Sequence, residues 1–576
     1  MGHRKRERSK ILSEVVLGIS PPDTVITNAT VFNVFTREFI KGQSVWIKDG
    51  MIAYVGPEND FSRDQTTSIL DAQGMVLVPG LIEGHTHLMN RCSIEEFVRH
   101  VIPTGVTTVI TETTELGTIL GKAGIEYLAK GLQCQPLRFY YTVSPLCGLT
   151  PSEELNALSD EELLPLLKRS QCVGVGEIYW GNLFLDGPQG KRIRELAAQG
   201  LALGKRVEGH TAGAKGKKLQ AFTDFGVSSC HESTSEEEVL ERLRLGYWVM
   251  IREGAVREEL EAIKNIFTRN IDFRRLTLTT DGMSPEGFMS KGFLDAALKK
   301  ALSFGVPPGV AFQLVTINVA EHFHLDHLIG SLTPGKLADM VLIPSHKEYS
   351  PQLIMVNGKI IFQDGRNLVA PKKVSFPEYM FHTVTIKDFD FPEIPQEGMV
   401  RVMDLANRLV TREGFVDVKD PEAAREVIML LALNRLGIKE KFLGFLQGFG
   451  LKRGACGSTM CWDSVDMIIA GCDRQSMETV RGRLQEIGGG AVYAIDTEII
   501  AEFPAPLGGV VSLKSMGVLR EEIKKLEAAL KSNGVPWQSP LLTIDVLGTA
   551  AIPHLRITHK GYVRVKDREL LQAQSD

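Results

Sequence analysis

The chain has 576 residues, a formal net charge of -5, 43% hydrophobic residues and 23% charged residues. This balance is that of a soluble globular protein and excludes a mostly disordered chain; the length predicts two or three domains. The charge excludes the strongly basic pattern of a nucleic-acid binder, and no run approaches the ~20 consecutive apolar residues of a membrane-spanning helix.

The start is basic, with Arg4, Lys5, Arg6 and Arg8, and reads as a solvated helix face. No long apolar run follows it, so no secretory signal is expected. Eight cysteines without a C-x-x-C pair predict reduced thiols in a cytoplasmic protein. Residues 1–75 read as short strands rich in Val, Ile and Thr, among them Asp23–Val34, Ser44–Lys48 and Met51–Val55. Asp49-Gly50 between two of them is a strong hairpin signal.

From about residue 76 strand and helix alternate. Eight apolar segments predict strands: Met75–Glu83, Val106–Glu112, Arg138–Ser144, Cys172–Ile178, Arg206–His210, Val227–His231, Tyr247–Ile251 and Arg275–Asp281. Ser235 with Glu238 three residues on predicts a capping box. Eight β-α units in roughly 250 residues predict a (β/α)₈ TIM-type barrel over 76–331. A doubly wound sheet is the alternative, but no G-x-G-x-x-G follows the first strand. Short strands return at Met340–Ile343, Leu353–Val356 and Lys359–Phe362, with a second hairpin turn at Asn357-Gly358. Residues 1–75 and 332–368 are therefore expected to form one composite β-sandwich domain. Residues 369–576 form a third, α/β region carrying Gly488-Gly489-Gly490.

Barrel active sites lie at the C-terminal ends of the strands. His85 and His87 stand there in an H-x-H pair, and residues i and i+2 of a strand share a face. Glu177, His210, His231, Glu232 and Asp281 end other strands. Four of the 13 histidines fall at these ends, together with residue types that ligate metals. His322, His324 and His327 cluster after the eighth strand and read as surface or packing residues. Cys456, Cys461 and Cys472 lack zinc-site spacing. Arg252 and Glu253 end the seventh strand and are expected to position substrate.

These residues resemble the signature of the amidohydrolase superfamily. Pro79-Gly80-Leu81-Ile82-Glu83-Gly84-His85-Thr86-His87 looks like its first-strand motif and Pro334-Gly335-Lys336-Leu337-Ala338-Asp339 like its exit motif. Within the superfamily the chain most resembles the adenine deaminases. Gly174-Val175-Gly176-Glu177, His231-Glu232 and Met250-Ile251-Arg252-Glu253-Gly254 are similar to theirs, as are Gly488-Gly489-Gly490 and Pro504–Gly509. The chain departs from the family pattern at Glu112–Glu115, Thr211-Ala212, Cys230, Gly282 and Val465-Asp466.

The resemblance implies hydrolytic deamination of adenine, a small-molecule purine base, to hypoxanthine and ammonia. It implies His85, His87, Glu177, His210, His231 and Asp281 as metal ligands. A carboxylate can bridge two cations, and no lysine near Glu177 offers itself for carbamylation, so a binuclear divalent centre is expected. Mixed N/O ligands without thiolate suit Mn²⁺ or Fe²⁺, with Zn²⁺ as an alternative. Glu232 is expected as the proton shuttle, and Asp281 as the ligand that takes the proton of the attacking water. A homo-oligomer without nucleic-acid or membrane partners is expected. Two other readings stay open: an amidohydrolase acting on a different aminated heterocycle or an N-acyl substrate, and a catalytically inactive metal-binding protein.

Overall fold

The computed structural model describes residues 10–574 apart from 155 and 396; Arg4, Lys5, Arg6 and Arg8 lie outside the described residues. The chain opens with β1 (Thr24–Asn33), β2 (Glu38–Lys48) and β3 (Met51–Gly56), an antiparallel meander. At the β2–β3 turn, Asp49 and Gly50 take φ of 50° and 74°, the left-handed pair that a tight hairpin requires. β4 (Ser68–Asp71) and β5 (Val76–Pro79) join β1 in parallel.

The apolar run expected as one barrel strand divides at Gly80. Its first half, β5, stays in the flanking sheet, and β6 (Leu81–Thr86) begins the next layer. β7 (Arg91–Cys92) is a short edge piece. Then follow β8 (Val106–Thr111), β9 (Arg138–Val143), β10 (Cys172–Tyr179), β11 (Arg206–His210), β12 (Ser229–Cys230), β13 (Trp248–Arg252) and β14 (Leu276–Thr279). β6, β8, β9, β10 and β11 form one parallel sheet, and β12, β13 and β14 a second. These strands are buried almost end to end, as parallel strands covered by helices must be.

Two seams join the sheets. Ser228 N–H donates to the Val207 carbonyl at 3.0 Å on one side, and Asp281 N–H to the His85 carbonyl at 3.1 Å on the other. Glu83 fastens the second seam: it accepts from the Thr279 hydroxyl and, at 3.1 Å, from Thr280 N–H. The expected sixth strand shortens to the two residues of β12, because 227–231 spend their backbone on the seam and the site. The helix behind it, Glu236–Arg244, is capped by Ser235 Oγ on Glu238 N–H at 3.4 Å. Glu238 reaches back one residue further than in a capping box, to Thr234 N–H at 2.8 Å.

β15 (Met340–Ile343), β16 (Leu353–Val356), β17 (Lys359–Gln363) and β18 (Arg366–Asn367) return to the flank, where β15 pairs antiparallel with β5. The sandwich expected from both flanks is thus one continuous nine-stranded sheet. Its two halves share an interior that includes Ile26, Val45 and Ile47 with Met340, Leu353 and Met355.

The third region holds an eight-stranded sheet, β19 (Met399–Leu405), β20 (Thr411–Asp417), β21 (Val427–Asn434), β22 (Lys441–Gln447), β23 (Ala455–Ser458), β24 (Asp466–Gly471), β25 (Gly490–Ile495) and β26 (Glu498–Pro504). The two glycine-rich motifs meet at Thr459, whose hydroxyl accepts from Gly490 N–H at 2.8 Å and donates to the Gly509 carbonyl at 2.6 Å. β27 (Val511–Ser512) pairs with β7, and Arg91 Nη2 lies 2.5 Å from Asp545 Oδ2. One apolar core runs through both layers, with Val109 and Ile178 in the same cluster as Leu430 and Leu507. All eight cysteines are free thiols. Among the described residues, no helix is long and apolar enough to cross a membrane.

Candidate active site

The strand ends bring the expected residues into one buried cluster. His85, His87 and Asp281 offer donor atoms within 4.8 Å of one another, as do His85, Glu177 and His231, and His210, His231 and Glu232. Glu177 stands between the groups. Its Oε2 is 2.8 Å from His210 Nδ1 and 3.0 Å from His231 Nε2, while Oε1 faces His87 Nε2 at 3.7 Å. Glu232, expected as a proton shuttle, also lies near the second group, 3.7 Å from His210 Nδ1 and 3.6 Å from His231 Nε2.

Two acids that sequence reasoning left without a role back the H-x-H pair. His87 Nδ1 is 2.7 Å from Glu115 Oε1, and His85 Nδ1 is 3.4 Å from Glu112 Oε1. Both imidazoles therefore turn Nδ1 to a carboxylate and Nε2 to the centre, the outer-shell pattern of metal-ligating histidines. Both acids fall in the stretch Glu112–Glu115 that departs from the family pattern. The i, i+3 spacing of Glu112 and Glu115 at the mouth of the helix Thr114–Gln133 was the available signal.

Burial opposes charge on every member, and mutual attraction overrides it everywhere but at His231, which burial and the neighbouring His85 hold below the usual imidazole range. Burial pushes Asp281 and Glu177 up, but the histidines beside them, and Arg252 for Asp281, hold both carboxyls well below the usual range. Burial pushes His85 down; Asp281 and Glu112 reverse this and raise it to about 10. The carboxylates thus demand positive charge at their centre. His87 Nε2 is buried and accepts or donates no hydrogen bond, and His210 Nδ1 and His231 Nε2 face each other at 3.1 Å. Opposed imidazole nitrogens need a proton or a cation between them. A divalent metal fits this set of nitrogen and oxygen donors.

Arg252 and Glu253, expected to position substrate, point in different directions, as consecutive strand residues do. Arg252 is buried and given over to carboxylates: it binds Glu232, lies 3.2 Å from Asp281 Oδ2, and pairs through Nε and Nη2 with Glu259 at 3.2 and 2.9 Å. Burial raises Glu232, but Arg252 and His210 draw it down to about 2. Glu253 binds Lys300 and lines an open cleft that Asp281 and Trp462 also line. Gly254 ends the motif because a Cβ there would lie 1.8 Å from the Thr280 carbonyl oxygen. Gly254→Ala is expected to push apart the strand ends that carry Arg252 and Asp281. The cost is about 1–3 kcal/mol of stability and on the order of 100-fold in rate, read from denaturant melts and steady-state turnover; an unchanged rate would contradict it.

The sequence differences are connected. Thr211 and Cys230 touch, and buried Arg242 donates to both, from Nη2 to Thr211 Oγ1 at 2.8 Å and from Nε to Cys230 Sγ at 3.3 Å. Gly282 has φ of 100°, a conformation that a second aspartate would enter only under strain. His322 packs away from the site, buried against Glu208 at 2.8 Å, and His327 Nδ1 bonds the His324 carbonyl.

The third region covers the cluster. The Trp462 ring lies 5.2 Å from that of His87. Asp463 Oδ2 accepts from Tyr179 and Thr549 hydroxyls, both at 2.6 Å. Ser464 Oγ donates to Glu153 Oε1 at 3.0 Å. Trp462 and Asp463 carried no short-range signal that could have placed them here.

A barrel whose strand ends converge on such donors is of the amidohydrolase class, and the amidohydrolase family matches residues 76–361. The adenine deaminase C-terminal domain matches residues 405–569. An adenine deaminase of Clostridium botulinum is 32% identical over 580 residues, spanning 97% of this chain and 96% of that one; one of Archaeoglobus fulgidus is 31% identical over 580 residues, spanning 99% of each. The chain belongs to the adenine deaminase family. Among solved structures, a β-aspartyl dipeptidase of Fervidobacterium islandicum aligns with a TM-score of 0.47 at 20% identity, covering 62% of this chain and 98% of that one.

Proposed function

We propose that the protein hydrolyses adenine to hypoxanthine and ammonia, a purine-salvage reaction. The observation that carries this reading is Glu177, whose two oxygens face two separate histidine groups, with Glu232 held at the edge of one of them. His85, His87 and Asp281 would hold one divalent ion, His210 and His231 the other, and Glu177 would bridge them. Mn²⁺ or Fe²⁺ suits these donors, with Zn²⁺ as an alternative. The bound metal supplies a strong nucleophile from water at neutral pH.

The chain's own groups move the protons. Asp281 accepts a proton from the attacking water. Glu232, kept ionised by Arg252, takes the water's other proton and carries it to the ring nitrogen beside the amine-bearing carbon, which makes that carbon electrophilic. The proton held by Asp281 then goes to the departing amine, which leaves as ammonia. Adenine and water enter, hypoxanthine and ammonia leave, and both carboxylates return to their starting state. Arg252 orients Glu232 and Asp281 together and meets no substrate in this scheme.

The same reading takes β6 to β14 as one (β/α)₈ barrel over 76–331, flanked by a composite domain of 1–75 and 332–368 and followed by a C-terminal domain of 369–576. Free thiols suit the cytoplasm. The test is ammonia release from a panel of aminopurines, aminopyrimidines and N-acetyl sugars, with metal content measured on the same sample. Hypoxanthine from adenine is expected. No hypoxanthine from protein that is metal-loaded and active on another ring would reject adenine as substrate.

A further inference from the structure

The third region reaches the barrel mouth at several points, and in one of them, the turn at Trp462–Ser464, one carboxylate is only half used. Asp463 has φ of 55°, a left-handed conformation uncommon outside glycine and tolerated best by Asn and Asp. Strained backbone of this kind concentrates at ligand sites. The turn is held in place by the Tyr179 and Thr549 hydroxyls, which both donate to Oδ2. Tyr179 is itself fixed edge-on to His210, with ring centroids 5.0 Å apart. The other oxygen, Oδ1, accepts no hydrogen bond among the described residues. Asp463 lines a small cavity together with His87, Glu115 and Trp462. A pinned carboxylate with a free acceptor thus faces a cavity that a proposed metal ligand also lines.

We infer that Asp463 is a specificity-determining residue whose Oδ1 accepts the imidazole-ring N–H of a free aminopurine base. This deepens the adenine reading and rests on it. A free purine base carries one N–H on its five-membered ring, and an N9-substituted purine such as a nucleoside has none. A fixed acceptor aimed at that hydrogen rewards the free base. It leaves that carboxylate oxygen shut in beside the ligand without a partner when the hydrogen is replaced, which is the costly outcome. The C-terminal domain would in this way supply the element that distinguishes base from nucleoside, while the barrel supplies the chemistry.

The test compares inhibition of deamination by purine, which has the N–H, and by 9-methylpurine, which lacks it. Wild-type protein is expected to bind purine much more tightly. Asp463→Asn keeps the pin, because the amide oxygen can take both hydroxyls while its NH₂ replaces the cavity-facing acceptor. It is expected to lower the ratio of the two inhibition constants about 10–100-fold. Tyr179→Phe and Thr549→Val remove the pin and keep the carboxylate; each is expected to retain most of the ratio. A wild-type ratio near one would overturn the inference. So would an Asp463→Asn variant that loses kcat/KM with its ratio unchanged, which is the signature of pinning alone. Asp463→Ala provides a second variant should the amide disturb the turn. If wild-type protein deaminates another ring and not adenine, the adenine reading falls. The same inhibition ratio, measured against that substrate, still decides the role of Asp463.

Discussion

Glu232→Gln is expected to keep its metal and to lose about 10²–10⁴-fold in turnover, the usual contribution of a general acid–base group. The amide preserves the size of the side chain and still offers an oxygen to Arg252, so the contacts among Arg252, Asp281 and Glu259 have no reason to dissolve. What it cannot do is accept a proton and pass it on. Metal content by elemental analysis and kcat on the same preparation separate the two effects. A variant within a few-fold of the parent rate would remove Glu232 from proton transfer and leave it a packing partner of Arg252.

Glu177→Gln should fail differently, losing metal as well as rate. Wild-type protein expressed with added Mn²⁺ should carry close to two ions per chain. The variant should carry fewer, because an amide cannot offer charge to both histidine groups. Chelation of wild-type protein should lower its Tm, since an ion bound only by the folded state at 100 times its Kd adds about 2.7 kcal/mol. A stable content of one ion per chain in fully active enzyme would defeat the bridging role.

The barrel-layer strands were legible because buried parallel strands write themselves as continuous apolar runs, and His85 and His87 because an i, i+2 pair on a strand needs no tertiary knowledge. Three features were not legible, each for a physical reason. The break at Gly80 was hidden because β5 and β6 are equally apolar although they serve different sheets. Arg252 looked like a substrate contact because its partner Glu259 returns only after the chain folds back, with Glu253 bridged to Glu258. Trp462 and Asp463 come from a domain hundreds of residues away, and neither propensity nor periodicity reports such an approach. The acids Glu112 and Glu115 were visible as a difference from a pattern, but their work depends on which ring nitrogen of each histidine they meet.

The two seams give the centre a property that no single strand possesses. His85, His87, Glu177 and His210 ride on β6, β10 and β11, while His231 and Asp281 follow β12 and β14 across the seams. The donors converge only when both sheets stand in register. A slip of one residue along either seam would turn every side chain of the slipped strand to the opposite face and scatter the set. The later-synthesised strands therefore complete what the earlier ones begin. Catalytic competence becomes a proofreading of assembly: a chain that closes wrongly has no assembled centre.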